Sequence, residues 1–182
     1  MKKEFIWIII IAVIILVAGY FFTSQKSGTG TLVLQITDAP PAGENVSSVI
    51  VRLSNVEVHK AQNTIEINNT NITSEAGWFT VVQDPVQYDL IAIKDVTQLL
   101  GTAELQSGKY TQIRLNVDSA TAVINGQQQE LTIPSKTIKL VRNFDIVAGE
   151  TTTLTLDFDA EESINKQGNN QYRMNPTITI VS

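Results

Sequence analysis

The sequence has 182 residues and not one cysteine. That excludes disulfides, cysteine-ligated zinc and a lipidated N-terminal cysteine. Histidine is nearly absent too. With His59 alone, a multi-histidine zinc site is not available. A Ser-His-Asp arrangement would have to use His59, yet the chain holds no Gly-x-Ser-x-Gly elbow. There is no glycine-rich phosphate loop: Gly28-Thr29-Gly30 precedes a strand pattern rather than a helix. Internal repeats and low-complexity tracts are missing as well. Net positive charge is also lacking. The chain carries −5 overall; Lys2, Lys3 and Glu4 give residues 1–22 a charge of +1, which leaves −6 on the remainder. An acidic surface of that kind argues against nucleic acid or anionic lipid as a partner. A domain of roughly 150 residues buries enough core to do without disulfides, so packing alone must hold it.

What is present divides sharply in two. Phe5 to Phe22 (FIWIIIIAVIILVAGYFF) is an uncharged run of 18 residues. As a helix at ~1.5 Å per residue it reaches ~27 Å, close to the ~30 Å hydrocarbon core of a bilayer. Trp7 and Tyr20 suit the two interfaces. A soluble core helix would need a large protein around it, and the rest of the chain reads as strands. A cleaved signal peptide is the other alternative, with Val17 and Gly19 at the cleavage positions. Its apolar run would be long, and bulky Tyr20, Phe21 and Phe22 would follow the cut. Lys2 and Lys3 precede the run and only Lys26 follows closely, which places the N-terminus in the cytoplasm and the domain outside. The expected organisation is a cytoplasmic tail at 1–4, a membrane-spanning signal anchor at 5–22, a linker at 23–29 and an extracytoplasmic domain at 30–182. Three Asn-x-Ser/Thr sequons, at Asn45, Asn68 and Asn71, are candidate glycosylation sites and agree with that orientation.

From Thr31 the hydrophobic period changes to two. Leu32, Leu34 and Ile36 alternate with polar and branched neighbours, and Asp38-Ala39-Pro40 ends the strand. Val49, Val51 and Leu53 share one face, whereas Val56 and Val58 have the opposite parity, which predicts a bulge near Asn55. Strands are expected at Thr64–Ile67, Trp78–Val82 and Tyr88–Ile93. Val96, Leu99 and Leu100 have helical spacing, so one short helix is expected within Lys94–Leu105. Ile113, Leu115 and Val117 mark a strong strand. Asn125-Gly126 marks a hairpin between Ala120–Ile124 and Gln128–Ile133. Strands at Thr137–Val141, Phe144–Val147 and Thr151–Phe158 follow, with Leu154, Leu156 and Phe158 on one face. The last, Tyr172–Val181, is interrupted at Pro176. About nine short strands and almost no helix predict an all-β, antiparallel sandwich, with no C-terminal anchor expected.

Several stretches together resemble the uncharacterised family called domain of unknown function 4382. They are Gly30–Pro40 (GTLVLQITDAP), Val56–His59 (VEVH), Trp78–Thr80 (WFT), Tyr88–Ile93 (YDLIAI), Leu105–Leu115 (LQSGKYTQIRL) and Leu156–Ala160 (LDFDA). The resemblance spans nearly all of residues 30–182, in order. It implies a secreted or membrane-anchored prokaryotic surface domain and carries no catalytic residue across. The Ser107-Gly-Lys-Tyr-Thr element is also similar to the turn-and-tyrosine strand of immunoglobulin-like and transthyretin-like modules, an analogy of fold alone.

Within that frame Asp38 reads as a strand-ending cap accepting nearby N–H groups. Trp78 reads as a core plug, with a sugar-stacking platform as the alternative. Tyr110 reads as a corner residue whose hydroxyl is tied to backbone, and His59 as half of a solvated pair with Glu57. Asp157, Asp159, Glu161 and Glu162 form the densest acidic cluster. A charged strand exit that blocks edge pairing is one reading of it. A calcium site with Asp157, Asp159 and Glu161 as ligands is a second, and a catalytic carboxylate pair a third. No other cofactor is expected. The function expected is a non-enzymatic surface module, structural, adhesive or ligand-binding. Its partners would be the bilayer through residues 5–22 and a surface protein or carbohydrate. The alternative is a membrane-tethered hydrolase that uses carboxylates, for example on glycans.

Overall fold

The computed structural model describes residues 28–38, 46–67, 70–168 and 171–181, with backbone only at 65–67, 71 and 72. The expected tail, membrane span and most of the linker lie outside these residues. Among the described residues no helix is long and apolar enough to cross a membrane.

The two-residue period becomes strand almost wherever it occurs. β1 (Thr29–Asp38) buries Leu32, Leu34 and Ile36 and turns Val33, Gln35 and Thr37 the other way. The fold begins slightly earlier than the expected boundary at residue 30. The carbonyl of Gly28 accepts the Ser107 N–H at 2.8 Å, and that of Thr29 accepts the Gly149 N–H at 2.9 Å. β2 (Val46–Lys60) buries Val49, Val51 and Leu53, then Val56 and Val58. Its register against β8 (Gly108–Ile124) shifts between Leu53 and Asn55, the bulge that the parity change requires. β8 changes parity in step: Ile113, Leu115 and Val117 point inward, then Ala120, Ala122 and Ile124. Asn116 donates its amide N–H to Asn55 and accepts the Thr137 hydroxyl at 2.8 Å, which satisfies side chains at the irregularity.

A hairpin of β3 (Asn63–Ile67) and β4 (Thr70–Ser74) forms its own two-stranded sheet. β5 (Gly77–Val82) and β6 (Val86–Asp89) pair with successive parts of β2. The helix expected within Lys94–Leu105 is not formed. A turn carries Leu90–Asp95, and β7 (Gln98–Gln106) follows. The spacing misled because Val96 and Leu99 are 51% and 60% exposed while only Leu100 points inward. Gly101 also suits the strand. A Cβ there would stand 2.4 Å from Val82 Cγ2, so its absence lets β5 lie against β7.

Asn125 and Gly126 both have positive φ, 53° and 76°, as the two-residue hairpin between β8 and β9 (Gln127–Thr132) demands. The two expected strands at 137–147 are one strand, β10 (Thr137–Ile146), with a register shift between Val141 and Phe144. β11 (Thr151–Asp159) leads into a single helical turn, α1 (Ala160–Ser163), then β12 (Ile164–Lys166). Pro176 separates β13 (Tyr172–Met174) from β14 (Thr177–Val181).

The fold is all-β and sandwich-like. One sheet has the order β14-β11-β1-β7. The other runs β12-β13-β9-β8-β2-β5, with β10 also paired to β8 and β6 to β2. A single core fills the space between them: Leu32, Leu34 and Ile36 from the first sheet meet Val49, Ile113 and Leu115 from the second. Leu154, Leu156 and Phe158 lie in it at 3%, 0% and 0% exposure, as their alternation requires. The expectation of a purely antiparallel sandwich needs correction. β1 runs parallel to β11, and β9 parallel to β13. A parallel partner is reached only by a crossover, here through the other sheet, and hydrophobic period carries no trace of that.

Candidate functional site

A broad concavity arises where two strands part company. The first half of β8 pairs with β10 as far as Asn116, and the second half pairs with β9 from Thr121. Between them the parity change leaves Asp118 and Ser119 exposed. The connection from β9 to β10 swings away, touching down where the Val117 N–H bonds the Lys136 carbonyl at 2.7 Å. This fork opens a groove of about 520 Å³. Asp118 and Ser119 come from β8, Gln129 and Glu130 from β9, Lys136 from the connection and Tyr172 from β13. Asp118 also forms an ion pair with Arg52 at 3.6 Å, both side chains about half exposed. The lining therefore offers hydroxyl, amide, ammonium and carboxylate groups beside one aromatic ring. Nothing in the alternation within either half marked it; the polar Asp118-Ser119 step between two apolar parities was the one available sign.

The acidic end lies elsewhere, around the C-terminal ends of β1 and β11. Asp38 is 2% exposed, on the core side of β1. Its Oδ1 accepts the Ala160 N–H at 3.0 Å, so it holds the start of α1; the chain just past its own strand, where a cap was expected, lies outside the described residues. Its Oδ2 is buried without a hydrogen-bond partner among the described residues. Burial pushes its pKa from 3.8 up to about 7. The Ala160 N–H opposes the rise, while the charges of Asp159, Asp157 and Asp89 add to it. Asp89 is itself engaged, accepting the Ser48 hydroxyl at 2.7 Å and the N–H groups of Val49 and Ile91, each at 3.1 Å.

Asp157 lies on the opposite face of β11 from Leu156 and Phe158, beside Thr37 and Thr179 in register. Burial, and then Asp159, raise its pKa. Asp159 is the N-cap of α1 and accepts the Glu162 N–H at 2.8 Å. Glu161 sits at a separate apolar cleft of about 200 Å³ with Val46, Ile91 and Lys166. Asp38 thus faces the core while Asp157 faces outward, and the Asp159 carboxylate is committed to a cap. Among the described residues no three His, Cys, Asp or Glu side chains are placed to hold one metal ion. Asn45 and Asn68 lie outside the described residues, and Asn71 falls in β4, described there by backbone alone.

Trp78 is not the core plug expected. The register pairs it with His59, whose parity is opposite to Val56 and Val58, so both rings stand on the outer face, and Phe79 packs inward instead. The Arg114 guanidinium carbon lies 3.7 Å over the Trp78 ring, and His59 meets it edge-on with centroids 5.0 Å apart. One face of the indole is therefore covered by the guanidinium. Glu57 pairs with Arg114 at 3.7 Å rather than with His59, whose Nδ1 is 3.3 Å from the Thr111 hydroxyl. Tyr110 does act as the corner residue: it is fully buried and donates to the Gln106 carbonyl at 3.0 Å. Burial pushes its pKa up to about 12.

A family model described as "Domain of unknown function (DUF4382)" matches residues 29–176. No curated protein matches the chain, and no solved structure does.

Proposed function

The chain belongs to the DUF4382 family, and from that premise we propose that it is a membrane-anchored, extracytoplasmic binding module that takes a carbohydrate or similarly polar ligand. The observation that carries the reading is the fork groove of about 520 Å³, with polar side chains of several kinds beside Tyr172. Sugar recognition needs that combination: many donors and acceptors, and one ring to lie against. The uncharged run Phe5–Phe22 supports the anchor, and Lys2 and Lys3 ahead of it support the outward orientation. The tied hydroxyl of Tyr110 supports reading the sandwich as an immunoglobulin-like or transthyretin-like one.

Binding is tested with the full chain in lipid nanodiscs, screened against a glycan array. At least one oligosaccharide class should bind, and Tyr172→Ala should weaken it by about tenfold, the equivalent of ~1.4 kcal/mol. An array without a hit, or a hit indifferent to Tyr172, would overturn the reading. Orientation is tested separately by adding protease to intact cells, which should remove the domain. Protection until lysis would reverse the topology.

A glycan hydrolase is the second reading, favoured by the presence of two carboxylates, Asp118 and Glu130, in one groove. The carboxylates with raised pKa, Asp38 and Asp157, lie outside that groove, so the acid that hydrolysis requires is not the group that burial has tuned. Release of reducing ends from a bound glycan, abolished by Glu130→Gln, would favour the hydrolase.

A further inference from the structure

The sandwich is closed along one side and open along the other. β5 and β7 close the first, in the contact that Gly101 permits. On the second, β10 is an outer strand of one sheet and β14 the outer strand of the other. Two grooves follow one another between them. The first, about 300 Å³, lies between Pro134–Ile138 and Arg173–Pro176. The second, about 370 Å³, lies between Lys139–Arg142 and Ile178–Ile180. Along β10 they extend from Thr137 to Arg142, about 17 Å at ~3.3 Å per residue.

β10 pairs with β8 and with no other described strand, so its outer edge presents backbone donors and acceptors that no strand matches, although the Thr137 carbonyl accepts the Ser135 hydroxyl at 2.8 Å and the Asp145 carbonyl the Thr152 hydroxyl at 3.0 Å. Val141 on that strand is 81% exposed. The charge lining the two grooves is of one sign, although exposed Asp145 lies farther along β10. Lys139 and Arg142 line the second groove and Arg173 the first, and no carboxylate lines either, in a chain of net charge −5. None of the three has an ion-pair partner among the described residues, and the Arg173 Nε is buried without a hydrogen bond. Antiparallel pairing with a second copy in the register that sets Lys139 opposite Arg142 would bring like charges together, which disfavours that register. An acidic strand meets no such repulsion.

We infer that the free edge of β10 receives an extended acidic segment of a partner polypeptide by strand addition, with carboxylates meeting Lys139, Arg142 and Arg173. Backbone pairing supplies affinity, and the cations select the partner and favour one register. The site is distinct from the fork groove and does not depend on what binds there.

The test uses the full chain in nanodiscs of uncharged lipid and a fluorescein-labelled peptide of alternating glutamate and valine, read by fluorescence anisotropy. Saturable binding should weaken by about tenfold in Lys139→Glu with Arg142→Glu, and should decline as salt rises from about 50 to about 500 mM. Methylating alternate peptide nitrogens should also cost about tenfold on the unaltered protein, because strand addition needs those N–H groups. No binding of the glutamate–valine peptide would overturn the inference. So would binding indifferent to the double substitution, or equal binding of the methylated peptide. Full competition by polygalacturonate at matched charge would do so as well, since it would mean charge attraction alone.

Discussion

Asp38→Asn isolates the cost of a buried carboxylate in this fold. In the folded chain Asp38 titrates near 7, against an ordinary 3.8. Between those values the folded state holds a proton that the unfolded state has released. Stability therefore falls as pH rises, by ~1.4 kcal/mol per pH unit from about pH 4 to about pH 7, and is level outside that window. The full span is about 4 kcal/mol, and the residue is too buried for solvent to screen it. The asparagine oxygen can still accept the Ala160 N–H, but its NH₂ inherits the site where Oδ2 has no partner, at ~1–3 kcal/mol. At pH 8 the variant should thus be more stable by roughly 1–3 kcal/mol. Between pH 5 and pH 8 the natural chain should lose about 2.7 kcal/mol more than the variant, a difference from which other titrations largely cancel. Urea unfolding of residues 28–182 at the two pH values measures both quantities. Parallel pH profiles for the two proteins would refute the argument, because they would mean that Asp38 is charged at no cost.

That assay presupposes that residues 28–182 fold alone; circular dichroism should show a soluble, β-rich chain with one cooperative melt, and aggregation would move the boundary. Phe158→Ala should cost about 3–5 kcal/mol in the same unfolding assay, since the ring is fully buried between the sheets, and a loss below about 1 kcal/mol would contradict its place there. The melting temperature should be the same in millimolar calcium and in chelator, because Asp38, Asp157 and Asp159 do not converge. A rise in calcium that vanishes in Asp157→Asn with Asp159→Asn would show that they close around an ion.

Local chemistry made much of this fold legible. The parity change across Asn55 called for a bulge and the register supplies one; Asn125-Gly126 called for a two-residue turn and both residues adopt positive φ. Leu154, Leu156 and Phe158 had to share a buried face. One failure was local, the helix expected within Lys94–Leu105, where exposed Val96 and Leu99 imitated helical spacing; the others concern partners distant in sequence. Asp38 meets Ala160, 122 residues on, and β1 meets β11 in parallel. Trp78 looked apolar enough for the core, yet the parity of β2 sends it outward with His59. The fork groove depends on β9 and β10 leaving the same strand at different points, which strand assignment alone does not reveal.

The position of β1 has a mechanical consequence. It lies inside its sheet, with β11 on one side and β7 on the other, and it is the first strand after Gly28. Any tension transmitted from upstream enters at Thr29 and runs along the strand axis. The ladder bonds on both flanks then bear the load together in shear, instead of opening one after another like a zipper. Rupture requires many of them to fail at once, together with the withdrawal of Leu32, Leu34 and Ile36 from the core. An edge strand such as β14 would share the same load with one neighbour only. A module that must hold a ligand while being pulled from its N-terminal side is better served by the arrangement found here.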